Sequence, residues 1–170
     1  MKKQIVYSKF IPRIFAMTID LIILSIVLTP LMNLISHYVF LYFFNDFFVT
    51  YGVDSSNREA FSTAVRMPEF ASYLTAGRFI SYSSVLFLLN TIFMAVYFIT
   101  CWRKFGATPG KMFMRMKIVD ADTMERPSLR SLIKRFLGYI TAIIGIWSIV
   151  FSKRSMAIHD KIANTIVIKS

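Results

Sequence analysis

The chain predicts an all-α integral membrane fold, and three observations carry that expectation. Of its 170 residues 56% are hydrophobic and only 17% charged, against about 45–50% and 25% in an ordinary soluble domain. Its apolar residues fall in long uninterrupted runs, too long for one small soluble core. Its charge, net +11 from 20 Lys and Arg against 9 Asp and Glu, is concentrated in particular segments between those runs. Two to three transmembrane helices follow, with a short third segment, a small cytoplasmic β-hairpin and a C-terminal element, all in one membrane domain over residues 1–170. Eleven Gly and Pro residues exclude collagen-like and disordered classes.

Between Asp20 and Asp46 lie 25 residues without a charged side chain. Crossing about 30 Å of hydrocarbon takes roughly 20 apolar residues. The first helix is therefore expected from about Pro12 to Tyr38, with Pro12 in its first turn and a kink at Pro30 that neighbouring groups satisfy. Lys2, Lys3 and Lys9 ahead of an apolar run resemble a signal peptide. The run is too long for one and holds an Asp, so an uncleaved span is expected. Phe79 to Trp102 gives the second span, 24 residues without charge, with Tyr82 and Trp102 near the interfaces. The third apolar stretch, Phe136 to Ser152, has only 17 residues and fits either a re-entrant or a tilted segment.

Loop charge sets the orientation. Residues 1–13 carry +4, residues 103–135 carry +6 with nine basic side chains, and residues 46–78 carry −1. By the bias toward basic cytoplasmic loops, the N-terminus and 103–135 lie inside and 46–78 outside. The tail, at +3 over residues 153–169, also reads as cytoplasmic. That agrees with a re-entrant third segment rather than a full crossing. Within the basic segment, Gly106-Ala107-Thr108-Pro109-Gly110 signals a turn. The alternation from Lys111 to Asp120 predicts a strand, which the Asp120–Thr123 turn would fold into a hairpin. Asn164 to Lys169 is a second β-prone stretch.

Arg13 and Asp20 are seven residues apart, on nearly one helix face but about 10 Å apart along the axis. An acid two turns inside a span is costly and normally meets a cation, a proton or a polar group inside the protein. Another helix should bring Asp20 such a partner, with Asn90 and Arg135 as candidates. Asn33 and His37, one turn apart, fit interhelical hydrogen bonding better than a proton path, as do Asn90 and Thr91. The Gly106–Lys111 run is not a nucleotide-binding loop: it has three residues between its glycines instead of four, and Met112 follows the lysine. His159-Asp160 lacks the rest of a metalloprotease motif, and Asp160 fits a helix cap. Only two histidines and one cysteine, Cys101, are present. No metal, disulfide, cofactor or enzymatic activity is implied.

Three separated patterns resemble the RDD family of small membrane proteins. Arg13 and Asp20 match its first helix. Gly106, Thr108, Gly110 and Lys111, followed by Ile118-Val119-Asp120, match its G-x-T-x-G-K turn and strand. His159, Asp160, Ala163, Thr165 and Val167 match its C-terminal H-D-x-x-A-x-T-x-V. Arg135 stands where the family has a basic residue before its last hydrophobic segment. Asn164 replaces a usual Gly, a change that a left-handed backbone tolerates. The resemblance implies a multi-pass protein of the bacterial-type plasma (inner) membrane and, for function, no more than transport of a small ion or solute such as cation/proton exchange.

Two functional expectations follow. In the first, Asp20 is the charged site of transport, with Arg13 as its partner. In the second, Arg13, Asp20 and Asp160 form a structural latch in a non-catalytic scaffold or assembly subunit, with Lys111 and Arg13 as candidate bases for Asp160 and the Gly106–Lys111 turn packed on His159–Asp160. Three hydrophobic segments and no internal repeat are few for a transporter. Homo-oligomers or other membrane proteins are therefore expected partners. Anionic lipid is a further one through the basic 103–135 segment, and nucleic acid is not expected.

Overall fold

A computed structural model describes residues 6–139 and 156–169. Seven helices and two strands run in the order α1 (Phe10–Thr50), α2 (Arg58–Ala64), α3 (Pro68–Tyr73), α4 (Ala76–Phe105), α5 (Pro109–Phe113), β1 (Met116–Asp120), α6 (Leu129–Gly138), α7 (Ile158–Ile162) and β2 (Thr165–Lys169) among the described residues. The chain divides into two compact units, Met1–Ile26 with Phe93–Ser170, and Val27–Ile92.

Both expected spans are present as helices long and apolar enough to cross a membrane. Their most apolar windows are only 17% and 0% buried. α1 is longer than the run from Pro12 to Tyr38: its 41 residues pass through Pro30 and reach Thr50, about 60 Å at the usual rise. The charge at Asp46 ends the apolar run, not the helix. The helix stops at Gly52, whose φ of +62° lets its N–H reach the Val49 carbonyl while Val53 N–H reaches Phe48, a left-handed C-cap.

The unit over Val27–Ile92 is packed by aromatic rings. Phe44, Phe47, Phe48, Ala64 and Phe70 are buried, with Phe40, Phe61, Tyr73 and Tyr82 against them. Ring centroids lie 4.6 Å apart for Phe40 and Phe44, 5.0 Å for Phe47 and Phe70, and 5.2 Å for Phe48 and Phe61. Asn57 caps α2 by accepting from Glu59 and Ala60 N–H, and the Arg78 guanidinium sits 3.8 Å over the Tyr73 ring. The 46–78 connection is thus folded around rings that the charge count alone does not reveal.

The other unit has a core of Ala16, Trp102, Met116, Ile118, Leu132 and Val167. Its sheet corrects the hairpin expectation. Residues 109–113 form the short helix α5, and only Met116–Asp120 is extended. β1 pairs antiparallel with β2, in a register from Met116 opposite Lys169 to Asp120 opposite Thr165. The Asp120–Thr123 turn does form, with Asp120 Oδ1 accepting from Asp122 and Thr123 N–H. It leads to α6, capped by Ser128, because Pro127 and the Ser128 cap favour a helix over a returning strand. On β2's other edge, Lys169 N–H donates to the Val6 carbonyl and Ser8 N–H to Val167. Segment 6–8 therefore flanks β2 opposite β1. The third apolar stretch lies outside the described residues beyond Tyr139. Its flanks meet: α6 packs on α7, with Gly138 so close to His159 that a Cβ there would lie 2.9 Å from the His159 Cα.

Candidate functional site

The first half of the site is a clamp on α5. Gly106 ends α4 with φ +71°, a conformation Gly adopts without penalty. Its N–H returns to Trp102 and its carbonyl accepts from Ile118 N–H, which fixes the path from α4 into β1. α5 then begins with Pro109, which has no N–H, so Gly110 carries the first free donor of the helix. Asp20 takes it: Oδ1 accepts from Gly110 N–H at 2.7 Å, and Oδ2 accepts from the Thr108 hydroxyl at 2.5 Å. Asp20 thus caps α5 from a different helix. Lys111 Nζ completes the group, 3.9 Å from Asp20 Oδ2 and 3.4 Å from the Thr108 hydroxyl. Gly110 is small for a packing reason, since a Cβ there would overlap the Ala16 carbonyl.

The second half is centred on Asp160 in α7. Its Oδ2 accepts from the Ala157 N–H at 3.0 Å and from Arg13 Nη1 at 2.5 Å. Arg13 Nε in turn donates to the Ser8 carbonyl, which links the segment flanking β2 to α1. Arg135 Nη1 forms an ion pair with Asp160 Oδ1 at 2.6 Å, while its hydrogen-bonding geometry is directed to the Thr165 hydroxyl at 2.6 Å. The Arg135 guanidinium also stands 5.4 Å from the Trp102 ring centre. Arg135 and Asp160 are fully buried.

Electrostatics follow from that burial. Desolvation alone would raise the Asp160 carboxyl, but Arg135 and Arg13 hold it well below the usual carboxylate range. His159 is pushed down to about 3, mainly by burial and next by Arg135. It is therefore neutral at physiological pH. It lies with its ring 4.5 Å from Tyr139 and its Nε2 3.5 Å from Asp160 Oδ1.

Arg13, Asp20, Gly106, Thr108, Gly110, Lys111, Arg135, His159 and Asp160 all lie in this unit, whereas Asn33, His37 and Thr91 do not. The structure sorts them differently from the expectation. Asp20 is met by Thr108, Gly110 and Lys111, not by Arg135, which belongs to Asp160, nor by Arg13. Asn90 lies in the other unit. Lys111 pairs with Asp20 instead of Asp160. The Gly106–Lys111 turn packs on α1 at Ala16 and Asp20, while His159 is met by α6. Asp160 does serve as a cap, from the third position of α7 by back-bonding to Ala157. Thr165, Ser8 and Trp102 join the site without having been singled out. Thr165 stands in the C-terminal pattern; the Ser8 carbonyl leaves no trace in side-chain identity.

Two long apolar helices that could span a membrane, a two-stranded antiparallel sheet and a unit with buried Arg13, Asp20 and Asp160 define a mostly helical protein. The model of the RDD family matches residues 7–164, and the chain belongs to that family. A relative from Rickettsia prowazekii (strain Madrid E), described as an uncharacterized protein, is 43% identical over 173 residues and covers all of both chains. No solved structure matches the chain. Family membership and the two apolar helices together suggest a membrane protein.

Proposed function

We propose that this protein is a non-catalytic scaffold or assembly subunit of a bacterial-type plasma membrane. In this reading Arg13, Asp20 and Asp160 lock the cytoplasmic unit instead of handling a transported ion. The observation that carries the reading is that both carboxylates are buried and held by groups of the chain itself. Asp20 has a hydroxyl on one oxygen and a backbone N–H on the other, and Asp160 is flanked by two guanidinium groups. A transported cation would have to displace those buried donors.

Topology supports the same reading. Segment 6–8, β1 and β2 are hydrogen-bonded to one another, so all three lie on one side of any bilayer. The positive charge of residues 1–13 and 103–135 supports a cytoplasmic location for that side. The flanks of the third apolar stretch also meet, at Gly138 and His159, which fits a segment that does not cross once. The exposed apolar faces of α1 and α4 are suited to lipid and to contacts with further copies or other membrane proteins.

Asp20→Asn tests the reading. In vesicles, the scaffold reading expects no cation or proton flux from the unmodified protein. It expects the variant to lose stability or assembly, read by thermal unfolding and by native mass spectrometry in lipid. Transport of a small cation or proton, which the family resemblance implies, would instead give flux that Asp20→Asn abolishes while folding is retained. A cysteine placed at Ser55 should label from the outer face.

A further inference from the structure

The charge balance inside the clamped unit does not close. Among the described residues, three buried cations, Arg13, Lys111 and Arg135, face two buried carboxylates, Asp20 and Asp160. Both guanidinium groups keep their charge, since arginine does not deprotonate in proteins. His159 carries none, and all three cations act on it. No further side-chain carboxylate is available. The chain's other seven acids are Asp46, Asp54, Glu59, Glu69 and the Asp120–Glu125 turn with its three, each outside the buried set, and residues 1–5 and 140–155 contain no Asp or Glu.

The surplus has a direction. Arg135 spends Nη1 on Asp160 and Thr165, while its Nε and Nη2 are buried without a hydrogen-bond partner among the described residues. Those two atoms form one edge of the guanidinium plane, with parallel N–H bonds spaced to meet two oxygens of one anion. Arg13 likewise leaves Nη2 buried and unpartnered. Its other two nitrogens are fixed by Ser8 and Asp160. A buried donor edge of this kind is expensive to leave unmet.

We propose that the Arg13–Arg135 cluster binds a small oxyanion of the phosphate class, taken bidentately by the Nε–Nη2 edge of Arg135 and completed by Arg13 Nη2. The proposal rests on the latch reading and adds a ligand to it: the anion is the latch's fourth member, matching the cation that Asp160 leaves over. The oxyanion is either free phosphate or the phosphodiester of an anionic lipid headgroup. A spherical halide fits the paired edge less well.

Thermal unfolding of the full chain distinguishes these sources. In neutral detergent, inorganic phosphate is titrated against chloride at constant ionic strength. In parallel, the same detergent, which carries no phosphate, is supplemented with phosphatidylglycerol. A free-phosphate site gives a saturable rise of about 3 °C or more with phosphate and none with chloride. A headgroup site gives that rise only with phosphatidylglycerol. Arg135→Lys keeps the charge but not the paired edge and should lose the rise; Arg126→Gln, on the exposed turn, should keep it. If Arg135→Lys does not fold, Arg13→Lys carries the same comparison. An unfolding temperature that follows ionic strength alone, equal in phosphate and chloride and unchanged by phosphatidylglycerol, overturns the proposal and assigns those donors to water. That outcome leaves the latch itself intact, because the latch is judged separately by whether Asp160→Asn destabilises the protein.

Discussion

The two units of this molecule are held by different physics. In the unit over Val27–Ile92, rings from α1, α2, α3 and α4 interleave within a short stretch of chain, and no buried ion pair is present among the described residues. In the other unit, the key contacts join residues far apart in sequence: Arg13 with Asp160 across 147 positions, and Asp20 with Thr108 across 88. Aromatic packing contributes area and tolerates several arrangements of similar energy. A buried ion pair adds little net stability but strongly penalises every arrangement that separates its members. The first unit is built for cohesion, the second for a single register of elements that the chain cannot place by proximity.

The sharpest way to break this comparison is Asp160→Asn. It conserves volume but leaves Arg13 and Arg135 without their carboxylate, and should cost about 4–5 kcal/mol, read from chemical or thermal unfolding in detergent. A loss below about 1 kcal/mol would refute the latch. Phe44→Ala should cost about 3–4 kcal/mol by the cavity it opens in the ring cluster. Hydrogen exchange should locate the first loss in residues 6–26, 93–139 and 156–169 and the second in residues 27–92. Equal loss of protection throughout both units would end the distinction.

A smaller effect separates the units by pH. Burial keeps His159 neutral down to about 3, whereas in the unfolded chain it takes a proton near 6.5. Between those values the unfolded state binds more protons, so stability falls as pH falls, by about 2 kcal/mol from pH 6.5 to 5. Below about pH 4 the depressed Asp160 adds to the loss in the same direction. His159→Phe should flatten the decline between pH 6.5 and 5, while Phe44→Ala should leave its slope unchanged.

How much of this was legible in the residues differs by unit as well. Hydropathy located α1 and α4, since a run of 25 uncharged residues has few other uses. It misjudged the end of α1 because Asp46 is exposed, and an exposed charge costs a helix nothing. The site residues were visible as rare polar groups in or beside apolar runs, but their partners were not. One of Asp20's partners is the Gly110 backbone N–H, which no side-chain inventory contains. β1 was visible by alternation, yet its partner was misassigned to the neighbouring turn, because a period of two says which residues face inward and nothing about which strand lies alongside. Asn164 was read correctly: its φ is +51°, and its side-chain amide donates to Asp122 Oδ2 at 2.6 Å. Asn164→Gly should therefore shift stability by no more than about 0.5 kcal/mol, the lost hydrogen bond offsetting the relieved backbone. This is the smallest effect expected, measured by the same unfolding assay.

The flanking of β2 by residues 6–8 on one edge and β1 on the other has a consequence for how the protein is made. Arg13 leaves the ribosome early and Asp160 147 residues later, a delay of roughly 7–30 s at ordinary rates of synthesis. For that interval the guanidinium stands at the start of α1 with no carboxylate to meet, and segment 6–8 before it has no strand to flank. The ring-packed unit between them needs no such wait and can condense while translation continues. Completion of the polar unit therefore requires that translation has passed β2. A chain stopped before His159-Asp160 therefore keeps Arg13 without its carboxylate partner.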